Sequence, residues 1–142
     1  MKTKLIKVIF FLFIYIVGIG CEKEIIVSDF FHTWKLEGFG NVSNSSFEKV
    51  IPSDCENCFL LSFSENWKVS GSTSTNTFSG VFQINKQNIN ITNITATMVN
   101  ELGNGQKYFD AISLVEKCEF IDGKFKLFYN QNRNYLLFKL LK

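Results

Sequence analysis

Proline is nearly absent from this chain. Pro52 is the only one in 142 residues, and His32 is the only histidine. A chain with one proline and 16 phenylalanines does not have the composition of a disordered or linker protein. A lone histidine needs a nucleophile and an orienting acid beside it to serve as a base, and no motif supplies them. A long hydrophobic run is missing too. The uncharged apolar stretch Val8–Val17 falls short of the roughly 20 residues that a spanning helix needs. An excess of positive charge is missing once the first 20 residues are set aside. Without Lys2, Lys4 and Lys7, 12 basic residues face 13 acidic ones, a net charge of −1. No basic surface is left to hold nucleic acid. Gly103-Asn104-Gly105 lacks the lysine spacing of a phosphate loop and reads as a turn.

What is present begins at the N-terminus. Three lysines, an apolar segment and the small residues Gly18 and Gly20 lead to Cys21, the anatomy of a secretory signal. Val17-Gly18-Ile19-Gly20-Cys21 resembles a bacterial lipobox, although Gly18 stands where that pattern usually has leucine. The expected organisation is a signal peptide over 1–20, a lipidated tether over 21–30 beginning at Cys21, and one domain over 31–142. A plain cleavage site after Gly20 and an uncleaved anchor helix are the alternatives. Glu22, not aspartate, follows the cysteine, which favours the outer membrane, with the lipid as the link to the bilayer. Which face of that membrane carries the domain stays open.

The mature region alternates with a period of two, the mark of half-buried strands. Trp34 and Leu36 share one face, as do Phe59, Leu61 and Phe63, then Trp67 and Val69. The same holds for Phe78, Gly80, Phe82 and Ile84, for Ile89 and Ile91, for Phe125, Leu127 and Tyr129, and for Leu136, Phe138 and Leu140. Asp122-Gly123 predicts a type I′ hairpin turn, since both central residues need positive φ. Asn130–Asn134 should join the last two strands. One segment departs from the pattern: Tyr108, Ala111, Ile112 and Val115 have the spacing of an amphipathic helix, predicted over about 105–117. The fold class is therefore mainly β. We expect seven or eight antiparallel strands in a curved sheet or partly closed barrel, with one helix inserted before the last three.

Several of these residues resemble a known family. Trp34-Lys35-Leu36-Glu37-Gly38 is similar to the W-x-L-x-G opening of META/HslJ-like domains. Asn76-Thr77-Phe78-Ser79-Gly80-Val81-Phe82 resembles their N-x-F-x-G-x-Y core, with Gly71 at the preceding glycine. Thr97-Met98-Val99 stands at the place of their T-x-M. The resemblance implies a small β-rich envelope domain, often a lipoprotein, tied to stress or antibiotic tolerance and without known catalysis. Cysteines that many members carry are replaced here by Thr75 and Asn100, so the family's disulfide between those points is absent.

Four cysteines remain to be weighed. Cys55-Glu56-Asn57-Cys58 could be a redox motif, or could join Cys118 and His32 in a Cys₃His zinc set. Against both stands the oxidising compartment of an exported chain, which favours pairing. A structural Cys55–Cys58 bridge is the reading, with Cys58–Cys118 as another pairing and Cys118 otherwise a buried apolar residue. Glu116 and Glu119, at the expected helix end, read as solvated side chains. No metal, cofactor or catalytic residue is assigned. The expected function is a non-enzymatic outer-membrane lipoprotein of envelope maintenance or stress tolerance. The alternative is a binding module that uses the barrel mouth or the loop 71–77 to hold a small ligand or a protein.

Overall fold

A computed structural model describes residues 25–142; the signal segment and Cys21 lie outside the described residues. A short 3-10 helix (Val27–Phe30) precedes β1 (Thr33–Asn41), β2 (Phe47–Lys49), β3 (Leu60–Phe63), β4 (Lys68–Ser72), β5 (Thr77–Asn85) and β6 (Asn88–Ala96). Helix α1 (Gly105–Ser113) follows, then β7 (Val115–Ile121), β8 (Lys124–Tyr129) and β9 (Asn134–Leu140). Strands β1, β3, β4, β5, β6, β7, β8 and β9 are antiparallel neighbours in that order, and pairing of β9 with β1 closes them into an eight-stranded barrel. β2 is the extra strand. It pairs with Gly38–Gly40 of β1, while β3 pairs with Thr33–Lys35. Closure removes the free edges that a curved sheet of this length would expose.

The period-two pattern sets which side chains enter the barrel. Leu36, Leu61, Val69, Phe82, Ile89, Ile91, Phe125, Leu127, Leu136 and Phe138 are all buried, while lysines, asparagines and threonines between them face out. Asp122 and Gly123 both have positive φ, 50° and 72°, as the hairpin requires. Phe128 departs from the simple alternation. It is buried as well, on the outer side of β8, where its ring lies 5.8 Å from Tyr135.

Each end of the barrel is stoppered by an aromatic ring from outside the strands. At one end Phe30 of the 3-10 helix enters, with its ring 5.2 to 6.3 Å from those of Phe63, Phe82, Phe120 and Phe125. The packed part of the chain thus reaches back to Phe30, which lies within the stretch expected to be tether. At the other end Tyr108 of α1 enters among Phe59, Phe78 and Phe138 and donates its hydroxyl to the Leu60 carbonyl at 3.1 Å. Between the two rings the side chains of Leu36, Leu61, Leu127, Leu136 and Phe138 are buried in one continuous core.

Three expectations need correction. The helix stops at Ser113, not near Lys117, because Val115 pairs with Tyr129 and begins β7. Extending α1 would remove the strand that closes the barrel beside β8. Glu116 and Glu119 therefore sit on a strand; Glu116 accepts the Asn132 N–H at 2.6 Å and Glu119 pairs with Lys117 at 2.7 Å. Trp67 and Val69 do not share a face. Trp67 has φ of 63° in the β3–β4 turn and lies outside, while Val69 points into the core.

Candidate functional site

Strands β6 and β7 meet at a single pair, Asn88 with Lys117, and above it they part. The chain fills this opening with the loop 97–104 and α1. Around it the motif residues converge. Asn76 opens β5 from the turn 73–76, in which the Thr73 hydroxyl oxygen accepts the Asn76 N–H at 2.9 Å. The Asn76 side chain then reaches across to the loop. Its Oδ1 accepts from the Thr97 hydroxyl (2.9 Å) and the Val99 N–H (2.8 Å), and its Nδ2 donates to the Val99 carbonyl (2.6 Å). One amide thus pairs with the far loop as a strand neighbour would, where no strand continues.

Glu101 completes the circuit. Its carboxylate accepts from the hydroxyls of Thr73 (2.5 Å), Ser74 (2.6 Å) and Thr75 (3.1 Å) and from Asn76 Nδ2 (2.7 Å). Partial burial pushes its pKa up, but the bonds from Ser74, Thr73, Asn76 and Thr75 outweigh that and hold it at about 2. Glu101 was not among the residues singled out from the sequence. The signal was available: between Glu65 and Asp110 the chain has no other carboxylate, and the donor-rich run Thr73-Ser74-Thr75-Asn76 needs an acceptor.

The remaining motif residues serve the same framework. A Cβ on Gly71 would stand 2.3 Å from the Leu60 carbonyl and 2.4 Å from the Phe78 ring, so β4 passes too close to its neighbours for any side chain. Gly80 lies opposite a bulge at which Asn93 has φ of 52°, and a Cβ there would meet the Thr92 carbonyl at 2.8 Å. Trp34, Leu36, Phe78 and Phe82 are buried core residues. Thr75, at one position where the resembling family has cysteine, shares its hydroxyl proton between Glu101 and the carbonyl of Asn100, the other such position, 2.9 Å away.

Cys55 and Cys58 form a disulfide with Cα atoms 5.4 Å apart. Lys35 sits over the loop between them and donates its ammonium to the carbonyls of Cys55, Glu56 and Cys58. Burial lowers the Lys35 pKa, helped by Lys139 and opposed by Glu56. Lys35→Met should cost about 1–2 kcal/mol in urea unfolding, since a charged donor leaves three acceptors at once. No measurable change would show that water replaces the ammonium without loss.

Cys118 is free and buried, and its thiol donates to the Gln87 carbonyl at 3.3 Å. Burial and Glu119 push its pKa up, against Lys117, to about 12. A thiolate reagent should therefore find no Cys118 in the native protein and one thiol, beyond Cys21, after unfolding without reductant. His32 is exposed outside the barrel, its ring 6.1 Å from Trp34. Among the described residues no three of His, Cys, Asp and Glu gather within ligating reach, so the Cys₃His alternative is not assembled.

Beside Glu101 lies a cleft of about 310 Å³, bordered by Thr97, Met98, Val99, Gln106 and Phe109. Its polar lining is already engaged: Asn76 bonds to Thr97 and to Glu101, and Gln106 donates to Asp110.

This fold has solved counterparts. The chain is similar to a protein from Burkholderia xenovorans known by NMR, with 16% identity, a TM-score of 0.62, and 79% of this chain and 83% of that one covered. It is also similar to a crystal structure of a DUF4847-family protein from Bacteroides vulgatus, with 17% identity, a TM-score of 0.62, and coverage of 78% and 92%. At such identities the likeness is one of fold. No protein-family model matches the chain, and no curated protein matches it by sequence.

Proposed function

We propose that this chain is a bacterial envelope lipoprotein, anchored in the outer membrane by lipid on Cys21, whose barrel serves envelope maintenance or stress tolerance without catalysing a reaction. The observation that carries the non-catalytic reading is the closed circuit around Glu101. The carboxylate nearest the cleft is saturated with four side-chain donors and held ionised, so it has no proton to give and little basicity to offer. His32 is outside the barrel, and the Cys118 thiol is buried in it.

The address rests on the lysines, the apolar segment and Cys21. The META-like class is supported by the meeting of Asn76 with Thr97 and of Thr75 with Asn100. Labelled fatty acid supplied to expressing bacteria should enter the wild-type chain and not Cys21→Ala. A wild type that takes up no label would end the anchoring reading. A second reading, a protein-binding module, is favoured by the apolar side chains of Met98, Val99 and Leu102 exposed on the loop beside the cleft. Capture of one partner from intact envelopes that Met98→Ser/Val99→Ser abolishes would support it.

A further inference from the structure

We infer that the Phe30 end of the barrel is seated in the surface of a lipid bilayer, as a second contact beside the lipid on Cys21. The inference rests on the proposed lipidation and adds to it a surface of the folded domain. Six large apolar side chains are exposed at this end: Ile26, Val27, Trp67, Ile121, Leu140 and Leu141. They come from separate stretches of chain, and the fold brings them to one rim. Leu141 donates its N–H to the Thr33 carbonyl at 2.9 Å, and Leu140 pairs with Trp34. The Trp67 ring lies 5.4 Å from Phe82, which packs on Phe30, and Ile121 follows Phe120, whose ring is 5.2 Å from that of Phe30. Ile26, at 63% exposure, and Val27 lead into Phe30 at the start of the same short helix.

Where the chain leaves decides what covers this rim. Cys21 stands four residues before Ile25, and four extended residues span at most about 14 Å. Acyl chains on Cys21 therefore keep the rim within about 14 Å of the bilayer surface, where its apolar side chains can reach the lipid. The rim suits that depth. Exposed Glu65 and Asp122 are interspersed with exposed Lys68 and Lys142, so it cannot enter the hydrocarbon. A tryptophan among aliphatic and charged side chains is the composition of the membrane–water interface. With both signs of charge present, seating should not depend on lipid charge. The opposite end, which carries Met98 and Val99, then faces away from the membrane.

The test uses the lipidated protein, purified from envelopes and placed in phosphatidylcholine vesicles with or without bromine on the acyl chains. Trp67 emission is taken as the difference between wild type and Trp67→Phe, since Trp34 is buried. Bromine should reduce that emission roughly two-fold, as for an indole at interfacial depth. In Trp67→Phe/Met98→Trp, a tryptophan at the far end should keep its emission. In Ile26→Asp/Leu141→Asp, with Trp67 kept, the quenching should be lost. If Cys21 carries label but Trp67 ignores bromine, the domain hangs free on its tether and the inference is overturned while the lipoprotein reading stands. Equal quenching at both ends means that the barrel lies on its side, and also overturns it. Emission that ignores bromine but shifts with protein density assigns the rim to a second copy and overturns it as well. An unlabelled Cys21 defeats the lipoprotein reading itself.

Discussion

Phe30→Ala should lower folding stability by about 3–5 kcal/mol, the range for removing a fully buried phenylalanine. The ring is 0% exposed and packs on four others, Phe63, Phe82, Phe120 and Phe125, drawn from β3, β5, β7 and β8. No strand side chain can swing into its place, because Phe30 enters from outside the ring of strands. Against a total of roughly 5–15 kcal/mol for a domain, the variant should lose a large fraction of its stability. Thermal unfolding should move down by about 10 °C or more. Phe31→Ala, one residue on and only partly buried, should move it far less. Equal shifts for the two would mean that Phe30 is not the stopper of this end.

Asn76→Asp should reverse the way stability responds to acid. In the wild type, Glu101 is depressed below its unfolded value of about 4.5 to about 2. Its contribution is complete above about pH 4.5 and is lost as pH falls through about 2. Partial solvent access discounts this to about 1–2 kcal/mol. An aspartate at 76 replaces the Nδ2 donor, now 2.7 Å from Glu101 Oε1, with a second carboxylate. Two like charges at that distance raise one of the two pKa values. The new side chain also withdraws the donor that the Val99 carbonyl receives. We expect a loss of about 3 kcal/mol or more at about pH 7. Stability should partly recover as pH is lowered toward about 5, where the shared site takes up a proton and the raised pKa favours the folded state. Urea midpoints across the range from acid to neutral pH measure both slopes. Parallel slopes for variant and wild type would remove Glu101 from the circuit.

Much of the barrel was legible because its strands are half-buried. Alternation from Phe78 to Ile84, from Ile89 to Ile91 and from Leu136 to Phe138 is what a surface with one wet side imposes on a chain. Asp122-Gly123 spoke for its own turn. The helix was legible through Tyr108, Ala111 and Ile112, but its end was not: Val115 fits a helical stripe and a strand equally well. The candidate site was half legible. Asn76 and Thr97 could be picked out through the resemblance, but not their contact. Glu101 and Lys35 escaped because each is a polar residue whose partners lie far away in sequence. Glu101 reaches back 25 to 28 positions and Lys35 forward 20 to 23. No local pattern encodes such distances.

By itself the sequence determined the kind of surface each residue prefers: a strand face, a turn with positive φ, a helix stripe. These are local properties, set by backbone sterics and by a side chain's transfer from water, and they survive in a short window. Only the tertiary structure decided that β9 meets β1. It likewise brought Phe30 and Tyr108 into opposite mouths of the barrel, joined four hydroxyl and amide donors to one carboxylate, and collected six apolar side chains on the rim around Phe30. Each of these is a meeting of residues distant in the chain. It forms only when closure of the barrel has already met the entropy of bringing them together.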